Sequence, residues 1–576
     1  MLDRARQTSH DVLAQIDEAR QRRTGDLILE LDLTEPLVEG RPHDPVRAFL
    51  TRHLTPLRLV VEGLHRAGRD PRVRALVVKV GGGRSVLALS RAQELRDAVR
   101  QFRDRGKLAV AWAETFGELG RGSVPYYVAT GFDQIWLQPS GDVCLTGVAV
   151  QVPFLRDALD RAGITPQIAQ RHEYKNAANV FIEREFTAAH RDATERLVAS
   201  IMDQLVAGVA EGRGLAAGDV RALIDRAPLF ANEAVEAGLV DRLGYRDEVY
   251  GAVRQQVGAE AVLQYVGRYA RSTAPRGPRR LTQPHPHLAL VHVTGPIHLG
   301  RSGRRPLGGA SAGSATVCAA LRAATEARDV AAIVLRVDSP GGSYVASDAI
   351  WRQVALARRA GKPVVVSMGD VAASGGYFVS MGADAIVAEP ATITGSIGVL
   401  AGKGVVEALA RRLGIGHEAV SGARHGLMFS PLQAFSPEEW QRLDAWLDRI
   451  YDDFTAKVAD GRHLGPDHVA EIARGRVWTG ADARERGLVD ELGGLATALD
   501  VARQRAGLPA TPRPDLRAYP RVPLVARLRA ARSSDDPAAA GADIRSDAWG
   551  SFADLAVRLG LPAHGPLTLP GDWLVT

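Results

Sequence analysis

The two halves of this chain carry one pattern, offset by about 250 residues. Arg69, Asp70 and Pro71 lead into the apolar run Ala75–Val80 and then Gly81–Gly83. In the second half Arg328, Asp329 and Val330 lead into Ile333–Val337 and then Asp338, Ser339, Pro340, Gly341 and Gly342. Gly106–Val110 answers Gly361–Val365, Tyr126–Asp133 answers Tyr377–Asp384, Leu145–Ala149 answers Ile393–Ile397, and Ala237–Gly244 answers Arg486–Gly493. Solenoid repeats recur every 20–50 residues, so a period of this size means tandem domains. Apolar runs of strand length alternate with helical stretches, as in Tyr344–Arg359, where Val345, Ile350, Val354 and Leu356 are expected on one face. Such alternation predicts an α/β fold with mainly parallel sheets covered on both faces.

The expected organisation is a polar extension over 1–25, a first repeat domain over 26–258, a linker over 259–286 rich in Pro, Gly and Arg, and a second repeat domain over 287–509. A Pro-, Ala- and Arg-rich tail follows over 510–576, partly disordered apart from a helix near Phe552–Leu559. With 46% hydrophobic and 24% charged residues among 576, the composition is that of a soluble globular protein too long for one core. The N-terminus has no apolar core of the signal-peptide kind, and no run reaches the roughly 18 apolar residues of a membrane span. Two cysteines, Cys144 and Cys318, cannot build a disulfide framework and fit a reducing compartment. The net charge of +6 is spread along the chain, compatible with weak peripheral attraction to anionic lipid. No aromatic-basic interleaving argues for nucleic acid. The sequence offers no metal cluster and no nucleotide loop, so neither metal nor cofactor is expected.

The halves differ where Ser374, Gly375 and Gly376 follow the apolar run Pro363–Met368. The first half has Ser123, Val124 and Pro125 in that slot. A serine on a strand-to-helix turn lies beside free backbone N–H groups, and glycines let a substrate carbonyl approach them. That is the setting of a nucleophile beside an oxyanion site, although a serine there also serves as an ordinary helix cap. Gly341 and Gly342 end the neighbouring strand on the edge where α/β sheets bind ligands, and offer a second oxyanion donor.

The nucleophile needs a base. Histidine is absent between His298 and His417, while His417 and His425 stay open. The alternative is a lysine whose pKa burial has lowered, a role closed to arginine. Only six of the 72 basic residues are lysines. Lys79, Lys107 and Lys362 begin or interrupt strands, Lys403 and Lys457 read as solvated helical residues, and Lys175 stands alone after Glu173 and Tyr174 in the first half.

The set Asp338–Gly342, Ala373–Tyr377, Thr394–Gly398 and Tyr174–Lys175 resembles the S49 serine peptidase family in its long tandem form, the signal peptide peptidase A type, within the Clp protease and crotonase-like superfamily. The resemblance spans roughly residues 26–508. It implies a Ser–Lys dyad with Ser374 as nucleophile and Lys175, from the first half, as general base. It further implies Ser396 as the serine that orients the lysine, and Gly341, Gly342 and Gly375 as the oxyanion donors. Ser123 is then a structural relic. The expected partners are peptide substrates, released signal peptides among them, and further copies in a homo-oligomer, tetrameric for this form. Long-form members carry an N-terminal membrane anchor. The opening of this sequence does not read as one, so the expectation is a cytoplasmic or peripherally bound peptidase. The rival readings are a crotonase-like acyl-thioester enzyme, which needs no nucleophilic serine, and a catalytically silent scaffold.

Overall fold

The computed structural model describes residues 24–39, 55–81, 87–118, 120–273, 286–304, 309–510, 514–520 and 567–568. The expectations for the extension before residue 24, for Gly82 and Gly83, for 274–285 and for most of the tail, including a helix near Phe552–Leu559, lie outside the described residues. The described residues divide into two compact units. The first draws on Met1–Ala149 and Met202–Arg280, the second on Val150–Ile201 and Leu281–Trp573.

Each unit is built on a mainly parallel sheet, and the strand order is the same in both. In the first it runs Arg242–Leu243, Gln134–Leu137, Leu108–Ala113, Val73–Lys79, Leu27–Asp32, Val262–Tyr265, all parallel. In the second it runs Glu491–Leu492, Ala385–Ala388, Val364–Ala373, Val330–Ser339, His287–Thr294, Asp515–Tyr519. The duplication read from the sequence is therefore a duplication of topology. The stretch 259–286 opens in ordered structure, with the sheet-edge strand Val262–Tyr265 and the helix Val266–Ser272.

The second sheet explains why its strands read as unbroken apolar runs. Ala289, Val291, Ile333, Leu335, Val364 and Val366 point into one hydrophobic core. Their neighbours Leu288, Leu290, Ala332, Val334 and Val365 point into another, under the helix Leu495–Arg505. Both faces are covered, as parallel sheets require. Two lysines held over from the repeat do one structural job. Lys107 Nζ donates to the carbonyls of Asp70 and Val73, and Lys362 Nζ to those of Ala327 and Val330.

Two local expectations need correction. The helix Tyr344–Arg359 has the expected ends, started by Ser343, whose Oγ accepts from the Ala346 N–H. Its buried face, however, is Ala346, Ser347, Ile350, Val354 and Ala357, while Val345 and Leu356 are exposed. Ala346, Ile350, Val354 and Ala357 join the core that the strands line, and Ser347 fits because its Oγ lies where a Cβ on Gly375 would meet it at 2.8 Å. Lys403 is not helical either. It lies in the strand Leu400–Val405, its amine donating to the Met428 carbonyl and lying over the Phe435 ring.

The corrected face gives a direct check. Ile350→Ala should destabilise the protein by about 2–5 kcal/mol, whereas Val345→Ala should stay within about 0.5 kcal/mol in urea denaturation. Equal costs would contradict the observed packing.

Candidate active site

Three strand ends of the second unit meet at Ser374. Val330–Ser339 and Val364–Ala373 are paired up to Ser339 and Ala372, and Ala373 pairs with Gly395 of the strand Ile393–Gly395. The strand Val364–Ala373 runs beyond the apolar run Pro363–Met368 because this third strand continues its ladder. Ser374 follows directly, before the helix Gly375–Phe378, with φ 56° and ψ −113°. A side-chain-bearing residue at positive φ costs about 1–3 kcal/mol and persists only where its surroundings hold it. Here the Ser374 N–H donates to the Gly395 carbonyl at 2.9 Å, and its carbonyl accepts from Phe378 N–H at 2.8 Å.

The lysine reaches this point from far away in sequence. Strand Thr165–Gln170 pairs antiparallel with Leu400–Val405, from Gln170 against Leu400 to Thr165 against Val405. The chain turns at Arg171, whose N–H donates to the Val399 carbonyl. Its guanidinium grips Asp444 and Asp448, one turn apart on the helix Pro437–Arg462. Four residues later Lys175 enters the interior. Its Nζ lies 2.8 Å from Ser374 Oγ, 2.9 Å from Ser396 Oγ and 3.0 Å from the Ser396 carbonyl oxygen. Lys175 is 1% exposed, and Ser374 and Ser396 are 0% exposed.

Burial pushes the Lys175 amine down from the usual lysine value of 10.5 to about 7. Removing an ammonium from water disfavours the charged form, and hydroxyls and a carbonyl do not restore it as a carboxylate would. The other lysines are held differently. Lys79 pairs with Glu114, Lys457 with Asp348 and Asp453, and Lys107, Lys362 and Lys403 cap carbonyls. His417 and His425 are both exposed, outside the buried trio.

Around Ser374 the glycines pack against one another. A Cβ on Gly375 would come within 3.0 Å of the Gly341 Cα and the Gly342 nitrogen. The two glycine turns thus press together beside the serine. The Gly341 N–H donates to Ser339 Oγ at 3.2 Å, and Ser339 Oγ donates to the Gly295 carbonyl at 2.7 Å. Ser339 was not singled out in the sequence, although it stands beside Pro340 at a strand end. The contact made by the Ser396 carbonyl also has no sequence signal. In the first unit, Ser123 Oγ accepts the Gly147 N–H at 3.0 Å, a bond between a helix start and the following loop.

The pattern of peptidase family S49 matches residues 101–260 and 356–509. The chloroplastic serine protease SPPA of Arabidopsis thaliana is 30% identical over 479 residues, covering 82% of this chain and 69% of that protein. Protease 4 of Salmonella typhi is 33% identical over 425 residues, 71% of this chain and 66% of its own length. Protease 4 of Haemophilus influenzae is 30% identical over 462 residues, 77% of this chain and 72% of its own length.

A buried amine of lowered pKa has a stability signature. Between about pH 7 and 10.5 the unfolded chain binds a proton at Lys175 that the folded chain does not, so this residue's destabilisation is full below pH 7 and vanishes above 10.5. Lys175→Met should therefore raise the melting temperature most at or below neutral pH, with the gain shrinking as pH rises towards 10. A gain independent of pH would contradict the lowered pKa.

Proposed function

This chain belongs to peptidase family S49 and is a serine peptidase of the signal peptide peptidase A type, and we propose that it cleaves peptides with Ser374 as nucleophile and Lys175 as general base. One observation carries the assignment: a fully buried amine 2.8 Å from a fully buried serine hydroxyl at a strand-to-helix turn. A neutral amine has two N–H bonds and one lone pair. The lone pair takes the Ser374 hydroxyl hydrogen, and the two N–H groups are given to Ser396 Oγ and the Ser396 carbonyl. Ser396 thereby fixes which way the lone pair points.

In the proposed sequence the Ser374 proton passes to Lys175 Nζ as Oγ bonds to the scissile carbonyl carbon. The oxyanion is held by backbone N–H groups of Gly375 and of the Gly341–Gly342 turn. Gly342 suits this better than Gly341, whose N–H already serves Ser339. The Lys175 ammonium returns its proton to the leaving amine as the C–N bond breaks. It then deprotonates the water that hydrolyses the acyl-enzyme.

The substrate is read as extended peptide, released signal peptides included. Gly341–Gly342 pairs on one side with Ile297 and on the other, antiparallel, with the chain's own Leu567–Thr568. That edge accepts extended backbone, which is how a sheet recognises a peptide.

Ser374→Ala should abolish peptide hydrolysis and labelling by a fluorophosphonate. Lys175→Arg, which keeps charge but cannot act as a base, should lose about 10²- to 10⁴-fold in kcat/KM. In the wild type kcat/KM should rise with pH through about 7 as Lys175 loses its proton. A fully active arginine variant would refute the dyad, and turnover without serine labelling would favour the acyl-thioester reading.

We further place the peptidase in the cytoplasm, in peripheral contact with membranes, as a homo-oligomer that is tetrameric in the form it resembles. Cys144 and Cys318 are free and buried, which supports a reducing compartment. No helix among the described residues is long and apolar enough to cross a membrane. Light scattering should give a mass of about four protomers of 61.6 kDa, and a monomer at micromolar concentration would remove the oligomer from the account. Anionic vesicles should retain the protein at low salt, and failure to bind would remove the membrane contact.

A further inference from the structure

Lys175 can follow its path only because of what lies beside its main chain. Gly475 has φ +82°, and a Cβ there would stand 2.5 Å from both Lys175 Cβ and N and 2.6 Å from its Cα. On the other side, a Cβ on Gly398 would meet the Gly475 Cα at 2.7 Å and Lys175 Cδ at 3.1 Å. The flanking residues grip the lysine's neighbours. Arg474 forms an ion pair with Glu173, and its N–H donates to the Tyr451 hydroxyl at 3.2 Å. Arg476 lies 4.7 Å over the Tyr174 ring and pairs with Asp192 at 2.7 Å, the carboxylate to which Tyr174 also donates at 3.0 Å.

Two of these residues, Gly475 and Arg476, also hold the other side of the site. Gly475 N–H donates to the Ile397 carbonyl, and Ser396 N–H donates to the Arg476 carbonyl, each at 2.7 Å. One short bracket thus fixes both the lysine's main chain and the serine that receives its N–H bonds. The duplication supplies an internal comparison. The repeat aligns Gly487 with Gly238, and at that offset Gly475 falls on Arg226. The unit that does not contain Lys175 has a long side chain where the other has none.

We propose that Arg474, Gly475 and Arg476 are positioning residues for the general base, holding Lys175 and Ser396 in one frame so that the amine meets Ser374 in a dry, fixed geometry. The inference rests on Lys175 being the base. The frame also accounts for the amine's environment. The charged groups facing this segment are Glu173 and Asp192 from the lysine's side and Arg474 and Arg476 from the bracket, and they neutralise one another in pairs. Tyr174 and Tyr451 both have raised pKa values, chiefly through burial, and stay neutral. Burial alone is left to act on Lys175, so loosening the bracket admits water and favours the ammonium.

The test compares Gly475→Ala with Gly465→Ala, a nearby position where an added Cβ meets nothing within 4 Å. Gly475→Ala should lower kcat about 10²-fold at neutral pH with little change in KM. It should also move the acid limb of the kcat/KM profile upward from about 7, so that part of the loss is recovered in alkali. Gly465→Ala should match the wild type. An unchanged midpoint, with kcat falling only in proportion to the folded fraction, would overturn the proposal. If Gly475→Ala does not fold, Arg474→Ala decides: the same upward displacement supports the bracket and an unmoved midpoint removes it. Lys175→Met, assayed in parallel, separates the two levels. Turnover in that variant would defeat the base assignment itself, whereas an inactive Lys175→Met beside a normal Gly475→Ala would defeat only the bracket.

Discussion

An amine buried without a counter-charge is the constraint on which the site depends. Lys175 is surrounded by two serine hydroxyls and a carbonyl, and the carboxylates Glu173 and Asp192 are paired with arginines. Keeping an ammonium in such a place is costly, so the group gives up its proton near neutrality. The same burial that weakens the fold suits the lysine to the proposed role of base, a common trade between stability and function.

Every element around the trio serves to hold that arrangement. The three parallel strand ends set the height of Ser374, and the pressed glycine turns bring two backbone segments beside it. The antiparallel pairing of Thr165–Gln170 with Leu400–Val405 delivers the lysine to the same edge. Positive φ at both Ser374 and Ser396 shows that the two hydroxyls are held by their surroundings and not by local preference. The first unit keeps the sheet order but has spent Ser123 on a loop contact.

Much of the fold was legible because its signals are local or repeated. Apolar runs covered on both faces and the glycine turn at Gly341 and Gly342 show in the chain itself. The misread features depend on tertiary context. Which face of Tyr344–Arg359 is buried is decided by its packing in the core, which encloses Ala346, Ser347 and Ala357 and leaves Val345 and Leu356 outside. Lys403 was drawn into a strand by a partner more than two hundred residues away in sequence, and no local pattern announces such a pairing. Residues 150–201 fall with the second unit for the same reason, which places Lys175 and Ser374 in one compact body. The role of Gly475 was hidden because a glycine beside an arginine looks like any loop until its neighbour is known.

With only six lysines in the chain, the Lys175 amine can be followed on its own. An NMR titration of the folded protein with labelled lysine side-chain carbons, assigned by comparison with Lys175→Met, measures its protonation without reference to turnover. A midpoint near 7 is the result this account requires. A midpoint near the ordinary lysine value of 10.5 would mean that the amine is charged at neutral pH and cannot accept the Ser374 proton.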